Sequence, residues 1–198
     1  KKGKLITLYG INNIGKSTQA RILIENLKKH GYDAVYLKYP IYNLEPTGPF
    51  INKSLRGTEQ DKKIDQAQLQ MWFVLNRWQF ESELKAMLDA GKIVIAEDYS
   101  CSGLAWGSAN GVNLDWLIEI NKYLIKEDLA IYLKGKRNLQ AREDNHVYES
   151  NHDLSEACMF IYDNLAIKLE WNKVNVKSSI SETAEDIWAT VEKYLKNS

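Results

Sequence analysis

The feature that most constrains this sequence is a stretch near its start, Gly10-Ile11-Asn12-Asn13-Ile14-Gly15-Lys16-Ser17-Thr18. It matches the pattern G-x-x-x-x-G-K-[ST], in which a glycine-rich loop surrounds phosphate groups. An apolar run at residues 5–9 precedes the loop, and residues 16–30 follow with apolar side chains at helical spacing. This order of strand, loop and helix is the one needed, because the helix N-terminus adds partial positive charge to the inward-facing N–H groups. The alternative is a glycine-rich turn that contains Gly-Lys-Ser by chance.

The loop predicts two cofactors, ATP and Mg²⁺, and most of their contacts. We expect Lys16 to reach the β- and γ-phosphates of ATP and Ser17 to offer its hydroxyl to Mg²⁺. Lys16 is therefore a candidate catalytic residue, and Ser17 is a candidate metal ligand. The candidate cofactor-binding residues are Gly10, Asn13, Gly15, Lys16, Ser17 and Thr18.

Beyond the loop, strand-like segments alternate with helical ones, which predicts an α/β domain with a parallel sheet. The chain of 198 residues is long enough for one such domain, and it shows neither an internal repeat nor a linker. We predict a single P-loop NTPase-type kinase domain over residues 1–198, a three-layer α/β/α fold with a five-stranded sheet. A short helical lid is expected at residues 135–150, a short helix at residues 50–55 and the fifth strand at residues 174–176.

Composition argues against several classes of function. With 26 basic and 26 acidic residues, the net charge is zero, which does not suit the broad basic surface that binds a nucleic acid polymer. The sequence has neither a run of about 18 apolar residues nor a leader-like start, so we expect no membrane partner and a cytoplasmic location. Its two cysteines, Cys101 and Cys158, lack metal-ligand spacing and are expected to be reduced thiols.

Polar residues follow the second and third predicted strands, at the edge where a parallel sheet binds its ligands. Tyr39 and Pro40 end the second strand, and Glu97 and Asp98 end the third. A carboxylate at Glu97 can hold Mg²⁺ opposite Ser17, directly or through water, so Glu97 is a candidate catalytic and metal-binding residue. The alternative is that Glu97 or Asp98 only caps the next helix.

Two residues of a long helix, predicted at residues 64–90, suit recognition of a nucleobase. Phe73 and Arg77 are four residues apart and therefore share a helix face. An aromatic ring can stack on a base, and a planar guanidinium can bond its edge. Core packing is the alternative for Phe73, whereas an Arg without a partner is harder to place in a core.

The basic residues of the predicted lid are candidates for stabilising charge on a phosphoryl group in transfer. These residues are Lys136, Arg137 and Arg142, and Arg142 is the candidate catalytic residue among them. The alternative is an ordinary solvated surface.

Taken in order, these motifs resemble the thymidylate kinase family of P-loop nucleoside monophosphate kinases. The ordered set is much more specific than the loop alone, and it extends over most of the chain. It consists of residues 10–19, Tyr39-Pro40, Phe73-x-x-Asn76-Arg77-Trp78, Tyr99-x-x-Ser102-Gly103-Leu104-Ala105, Asp128-Leu129-x-x-Tyr132-Leu133 and, in the lid, Leu139, Arg142 and Tyr148-Glu149.

The resemblance implies ATP-dependent phosphorylation of a pyrimidine deoxynucleoside monophosphate, dTMP to dTDP, with Mg²⁺ and in a homodimer. It implies that Phe73 stacks on the thymine, that Arg77 contacts the edge of the base and that Arg142 acts from the lid. It also implies that Ser102 and Trp106 lie near the base or the sugar. The expected substrate-binding residues are Asn12, Tyr39, Phe73, Arg77, Asp98, Ser102 and Trp106.

The sequence departs from the family pattern at the end that receives the phosphoryl group. The family usually has Asp at Asn12, often has a basic residue at Asn13, and has Asp-Arg-Tyr where this chain has Glu97-Asp98-Tyr99. An arginine shortly after the aromatic-Pro pair is also missing, because Ile41 and Tyr42 stand there. Two arginines that would hold the acceptor phosphate are thus absent. The candidates to replace them are Lys38, Lys53 and Arg56.

Three functions stay open from the sequence. The first is the monophosphate kinase that the resemblance implies. The second is a deoxynucleoside kinase, in which Asp98 or Glu97 is the base for a free 5′-OH. The third is a non-catalytic nucleotide-binding module, although a module that only docks needs neither Gly15-Lys16-Ser17 nor Glu97.

Overall fold

The centre of the fold is a parallel sheet, seen in a computed structural model that describes residues 2–58, 60–61, 63–136 and 152–198, with only the backbone of His152. The strands of the sheet are β1 (Lys4–Tyr9), β2 (Ala34–Lys38), β3 (Ile93–Glu97), β4 (Leu129–Lys134) and β5 (Asn172–Asn175). Their order is β2-β3-β1-β4-β5, and every pair is parallel. The predicted five-stranded parallel sheet is confirmed.

Helices cover both faces of this sheet. They are α1 (Lys16–Lys29), α2 (Thr47–Arg56), α3 (Gln66–Asp89), α4 (Ser100–Ala109), α5 (Leu114–Asn121), α6 (His152–Lys168) and α7 (Ile180–Lys196). Helices α1 and α7 pack together on one face, while α3 and α6 contact the strands from the other face with α4 between them. The result is the predicted three-layer arrangement.

The central strands are apolar runs because both of their faces are covered. All five residues of β3 are buried, and so are five of the six residues of β1. In the sheet register, Glu97 lies beside Leu8 of β1 on one side and Lys38 of β2 on the other. The carboxyl ends of β1, β2 and β3 therefore meet at one edge, next to the glycine loop that follows β1.

Several element boundaries differ from the sequence-based expectation: α3 covers Gln66–Asp89 rather than residues 64–90, and the starts of α2 and β5 differ by two residues or more. Helix α2 begins at Thr47 rather than at residue 50, because Pro49 falls in the first turn, where helix N–H groups have no intrahelical acceptor. Strand β5 begins at Asn172 rather than at residue 174, and only Val174 of its four residues is buried. Such a polar edge strand gives no clear alternation from which to read its start.

Several other expectations can be compared with the described residues. Residues 137–150 of the predicted lid, with Arg137 and Arg142, lie outside them. Both cysteines are free and buried. Among the described residues, no helix combines the length and the apolar character needed to cross a membrane.

Candidate active site

The glycine loop between β1 and α1 has the backbone conformation that a phosphate cradle requires. Gly10 and Gly15 have φ values of +143° and +100°, and Asn13 has a φ of +62°. A Cβ atom at Gly10 would lie 2.7 Å from the carbonyl oxygen of Leu133, so only glycine fits there. These conformations turn the loop around the N-terminus of α1, which starts at Lys16.

Lys16 is held inside this loop. Its ammonium group donates hydrogen bonds of 2.9 Å to the carbonyl oxygens of Gly10 and Ile11, and its side chain is buried. The same nitrogen lies 3.5 Å from Oδ1 of Asp98. Lys16 therefore connects the loop to the carboxyl end of β3, where the second half of the site begins.

Glu97 is the centre of a polar cluster at the end of β3. The hydroxyl of Ser17 donates to Glu97 Oε1 over 3.0 Å, and the hydroxyl of Tyr36 donates to Glu97 Oε2. The ammonium group of Lys38 lies 3.1 Å from Glu97 Oε1 and 3.4 Å from Ser17 Oγ. The predicted pair of Ser17 and Glu97 is thus brought together, and Lys38 lies in contact with both members.

The carboxylate of Glu97 and the ammonium group of Lys38 stabilise each other in their charged forms, and the ammonium group of Lys16 also stabilises the carboxylate. Burial acts to raise the pKa of Glu97, but Lys16 and Lys38 outweigh it, together with the hydrogen bonds from Tyr36 and Ser17, and lower the pKa. Burial acts to lower the pKa of Lys38, but the charges of Glu97 and Asp98 and the hydrogen bond to Glu97 together outweigh it and raise the pKa. At neutral pH, Glu97 is therefore an anion and Lys38 a cation.

Asp98 follows Glu97 and lies beside this cluster, with its Oδ1 3.5 Å from the ammonium group of Lys16. Its φ is +60°, a conformation that Asp tolerates better than most side chains. The hydroxyl of Ser102 donates to Asp98 Oδ1 over 3.1 Å, and the hydroxyl of Tyr162 donates to Ser102 Oγ over 3.1 Å. Burial raises the pKa of Asp98, and the charge of Glu97 adds to this, while Lys16 acts against it.

All seven residues predicted to bind the acceptor line one cavity next to the glycine loop: Asn12, Tyr39, Phe73, Arg77, Asp98, Ser102 and Trp106. Sequence motifs that are up to 94 positions apart thus converge on one space, because the loop, β2, β3 and α4 meet at the sheet edge and α3 crosses beside it.

Arg77 and Gly103 lie next to each other in the part of the cavity formed by α3 and α4. A Cβ atom at Gly103 would lie 3.2 Å from Oε1 of Gln70 and 3.4 Å from Nη1 of Arg77, so this glycine leaves room for both side chains. Arg77 is buried, donates to Asn121 Oδ1 over 3.4 Å, and has no partner for its Nε in the described structure. An orphaned buried donor of this kind suits a polar ligand edge.

The sequence analysis did not assign three residues of the site. Gln70 lines the cavity, Tyr36 holds Glu97, and Tyr162 supports Ser102. Gln70 is one turn before the Phe73 motif on α3, which is the signal that could have indicated it. Tyr36 alternates with Lys38 on β2, but Tyr162 comes from α6, and nothing in the sequence connects it with Ser102.

Of the three cations proposed to replace the missing arginines, two lie at the cavity. Lys38 and Arg56 line it, and Arg56 donates to the hydroxyl of Tyr42 over 2.9 Å. Lys53 instead pairs with Asp61 at 3.0 Å and lines a different groove. The cavity therefore retains positive charge at Lys38 and Arg56, although the two arginines of the family pattern are absent.

Together, the parallel sheet, the glycine loop ending in Lys16-Ser17 and the adjoining cavity define a P-loop nucleotide kinase. A family model described as thymidylate kinase matches residues 8–187. The chain belongs to the thymidylate kinase family.

Three similar proteins illustrate the extent of this relationship. The probable thymidylate kinase of Thermococcus onnurineus is 32% identical, with 96% of this chain and 98% of that protein covered. The thymidylate kinase of Homo sapiens is 30% identical, with 94% and 89% covered. A solved structure of thymidylate kinase from Candida albicans superposes with a TM-score of 0.80 at 25% identity, covering 97% of this chain and 92% of that one.

Proposed function

We propose that this protein transfers the γ-phosphoryl group of ATP to dTMP and forms dTDP and ADP. The observation that carries the proposal is the convergence of the seven predicted acceptor residues on one cavity beside the glycine loop. In the transfer, an oxygen of the acceptor phosphate bonds to the γ-phosphorus while the bond to the β,γ-bridging oxygen breaks and ADP leaves. Family membership supports the same reaction.

The residues of the donor side fit ATP and Mg²⁺. Ser17 and Glu97 offer two hard oxygen atoms at the end of β3, which is the chemistry that Mg²⁺ prefers. Among the described residues, no cluster of three His, Cys, Asp or Glu side chains could hold a metal alone, so phosphate oxygens and water would supply the other ligands. When bound, the ion would neutralise charge on the β- and γ-phosphates.

The chain's own residues divide the remaining work. Lys16 would leave the loop carbonyls for the phosphates of ATP and stabilise charge during transfer. Phe73 would stack on the thymine, and the guanidinium of Arg77 would bond its edge, while Ser102 and Trp106 would lie near the base or the sugar. Arg142, which lies outside the described residues, is proposed to add a cation from the lid.

We also propose that the protein is a homodimer that forms through the exposed side of α3. Met71, Leu75 and Trp78 follow one another along one face of this helix, with 56%, 46% and 43% of their surfaces exposed. They line a groove of about 1050 Å³ together with Phe50 and Trp72, whose rings stack at 4.1 Å. An apolar surface of this kind typically marks a protein interface. The reaction is proposed to take place in the cytoplasm, which the two free thiols suit.

The test is ADP release from purified protein with ATP and Mg²⁺, measured against dTMP, dUMP, thymidine and other nucleosides. We expect release with dTMP, and we expect Lys16→Ala to abolish it. Release with thymidine but not with dTMP would replace the proposal with a nucleoside kinase, in which the Asp98 carboxylate takes the proton of the 5′-OH. Binding of ATP without release for any acceptor would indicate a non-catalytic module.

The role of Arg142 has a separate test. We expect Arg142→Ala to lower turnover by about a hundredfold or more, the range for removal of one charge-stabilising group, with little change in ATP affinity. Unchanged turnover would remove Arg142 from the mechanism.

A further inference from the structure

Lys38 lies between the two halves of the site. Its ammonium group contacts the Ser17 hydroxyl and the Glu97 carboxylate, at 3.4 Å and 3.1 Å. The same side chain lines the acceptor cavity with Asp98 and Asn12, and 48% of its surface is exposed. Lys38 is therefore held by the two oxygens assigned to Mg²⁺ while bordering the space assigned to dTMP.

The contacts of Lys38 with Ser17 and Glu97 are incompatible with binding of Mg²⁺ at the same two oxygens. An ammonium group and a divalent cation cannot share the oxygens of Ser17 and Glu97 without strong repulsion at so short a distance. Lys38 has somewhere to move, because its side chain is half exposed and flexible. Because Lys38 also lines the acceptor cavity, a move away from Glu97 into that cavity would bring its charge to the acceptor.

The acceptor end of the cavity needs such a cation. Asp98 stands there in place of the arginine of the family pattern, and Asn12 in place of an aspartate, so the arginine cation is missing from this end. Among the described residues that line the cavity, the cations are Lys38, Arg56 and Arg77. Arg77 lies against Gly103 on the α3–α4 side, and Arg56 is engaged with Tyr42. Lys38 is the one that contacts donor-side residues as well.

We propose that Lys38 exchanges partners during the reaction cycle, leaving Glu97 for the acceptor phosphate when ATP and Mg²⁺ occupy the donor side. Donor binding then tightens acceptor binding, and by linkage the acceptor tightens donor binding by the same factor. This inference rests on the proposed dTMP kinase function. It differs from a static replacement of the missing arginines, because a fixed cation would hold the phosphate equally well with and without the donor.

Calorimetric titration of dTMP, with and without a non-hydrolysable ATP analogue and Mg²⁺, tests the exchange without turnover. For the unmodified protein we expect the analogue to tighten dTMP binding by about tenfold, a typical coupling between two sites. In Lys38→Met, this ratio is expected to fall to about one. A Lys38→Met protein that keeps the tenfold ratio would overturn the inference.

Two controls separate the exchange from other effects. Arg56→Met removes a cation from the same cavity that contacts neither Ser17 nor Glu97, so it should weaken dTMP binding while keeping the ratio. Thymidine has no phosphate for Lys38 to reach, so its binding to the unmodified protein should show no tightening. Equal tightening for thymidine and dTMP would overturn the inference even if Lys38→Met failed to fold.

Different results would contradict the proposed function and the proposed exchange of partners by Lys38. Unmodified protein that neither binds nor phosphorylates dTMP would overturn the proposed function, and the exchange with it. Protein that binds and phosphorylates dTMP, but with equal affinity in the presence and absence of the donor analogue, would overturn the exchange alone.

Discussion

At the scale of single residues, Arg77 is a buried cation that forms no ion pair with the described residues. Among the described residues no carboxylate lies within ion-pair distance of it, and burial lowers its pKa. A buried charge without a partner reduces stability, and such a residue can be replaced by an apolar one at little or no cost. A residue of this kind is consistent with selection for binding rather than for folding.

We therefore expect Arg77→Met to separate affinity from stability. Loss of a charge-assisted bond worth about 1.5–3 kcal/mol should raise the KM for dTMP by roughly 10- to 150-fold. The melting temperature without ligand should stay the same or rise. Steady-state kinetics measures the KM for dTMP, and thermal unfolding measures the melting temperature. Arg77→Lys is the control variant, which keeps the positive charge but loses the planar guanidinium. A lower melting temperature with an unchanged KM would assign Arg77 to the core instead.

Glu127 gives a second prediction at the residue scale, one of pH dependence. Its carboxylate accepts a 2.9 Å hydrogen bond from the hydroxyl of Tyr9, and burial raises its pKa above the usual 4.5. When the pKa of a carboxyl group is higher in the folded state than in the unfolded state, ionisation of that group lowers the free energy of unfolding. The stability present below the unfolded-state pKa is lost as pH rises through the folded-state pKa.

Glu127→Gln removes this ionisation and keeps an oxygen for Tyr9. The variant should match the unmodified protein in stability near about pH 4 and exceed it near about pH 7. Denaturant unfolding at both pH values measures the difference. An advantage for the unmodified protein at neutral pH would show that the charge of Glu127 is stabilising.

At the scale of elements, Asn76 attaches the segment after β2 to helix α3. Its side-chain amide accepts from the N–H of Ile41 over 2.8 Å and donates to the carbonyl of Ile41 over 3.1 Å and to the Thr47 hydroxyl over 2.9 Å. Asn76 is fully buried. The segment it holds follows Tyr39 and Pro40, so the amide fixes one wall of the acceptor cavity.

Asn76→Ala should therefore affect both folding and binding. Leaving the backbone groups of Ile41 without partners is expected to cost about 2–3 kcal/mol of unfolding free energy and to weaken dTMP binding. Asn52→Ala, on the exposed side of α2, should change stability by less than about 0.5 kcal/mol. Denaturant unfolding and calorimetry measure both effects, and an Asn76→Ala protein as stable as Asn52→Ala would contradict this account.

The same example shows how far the sequence could predict the elements and the site. The glycine loop, the buried strands and the long helix follow from local patterns, and the family resemblance adds the positions of Phe73 and Arg77. The role of Asn76 could not be read from spacing, because its partners are the backbone groups of Ile41 and the hydroxyl of Thr47, which are 35 and 29 positions away. The contacts of Tyr162 and Lys38 are likewise tertiary, and no local pattern encodes them.

At the scale of the whole molecule, the exposed apolar side of α3 predicts self-association. Leu75→Glu places a charge in the middle of this surface and should convert the proposed dimer to a monomer, which sedimentation or light scattering measures. Ile180→Glu is the matched control, since Ile180 is 59% exposed at the start of α7, in the opposite helical layer. A Leu75→Glu protein with the mass of the unmodified protein would refute this interface.

The central claim is that the acceptor is a monophosphate although the usual arginines are absent. The most direct measurement supplies ATP labelled in its γ-phosphoryl group to a mixture of dTMP and thymidine at equal concentration and identifies the labelled product. We predict label in dTDP. Label in dTMP, formed from thymidine, with none in dTDP would contradict the account.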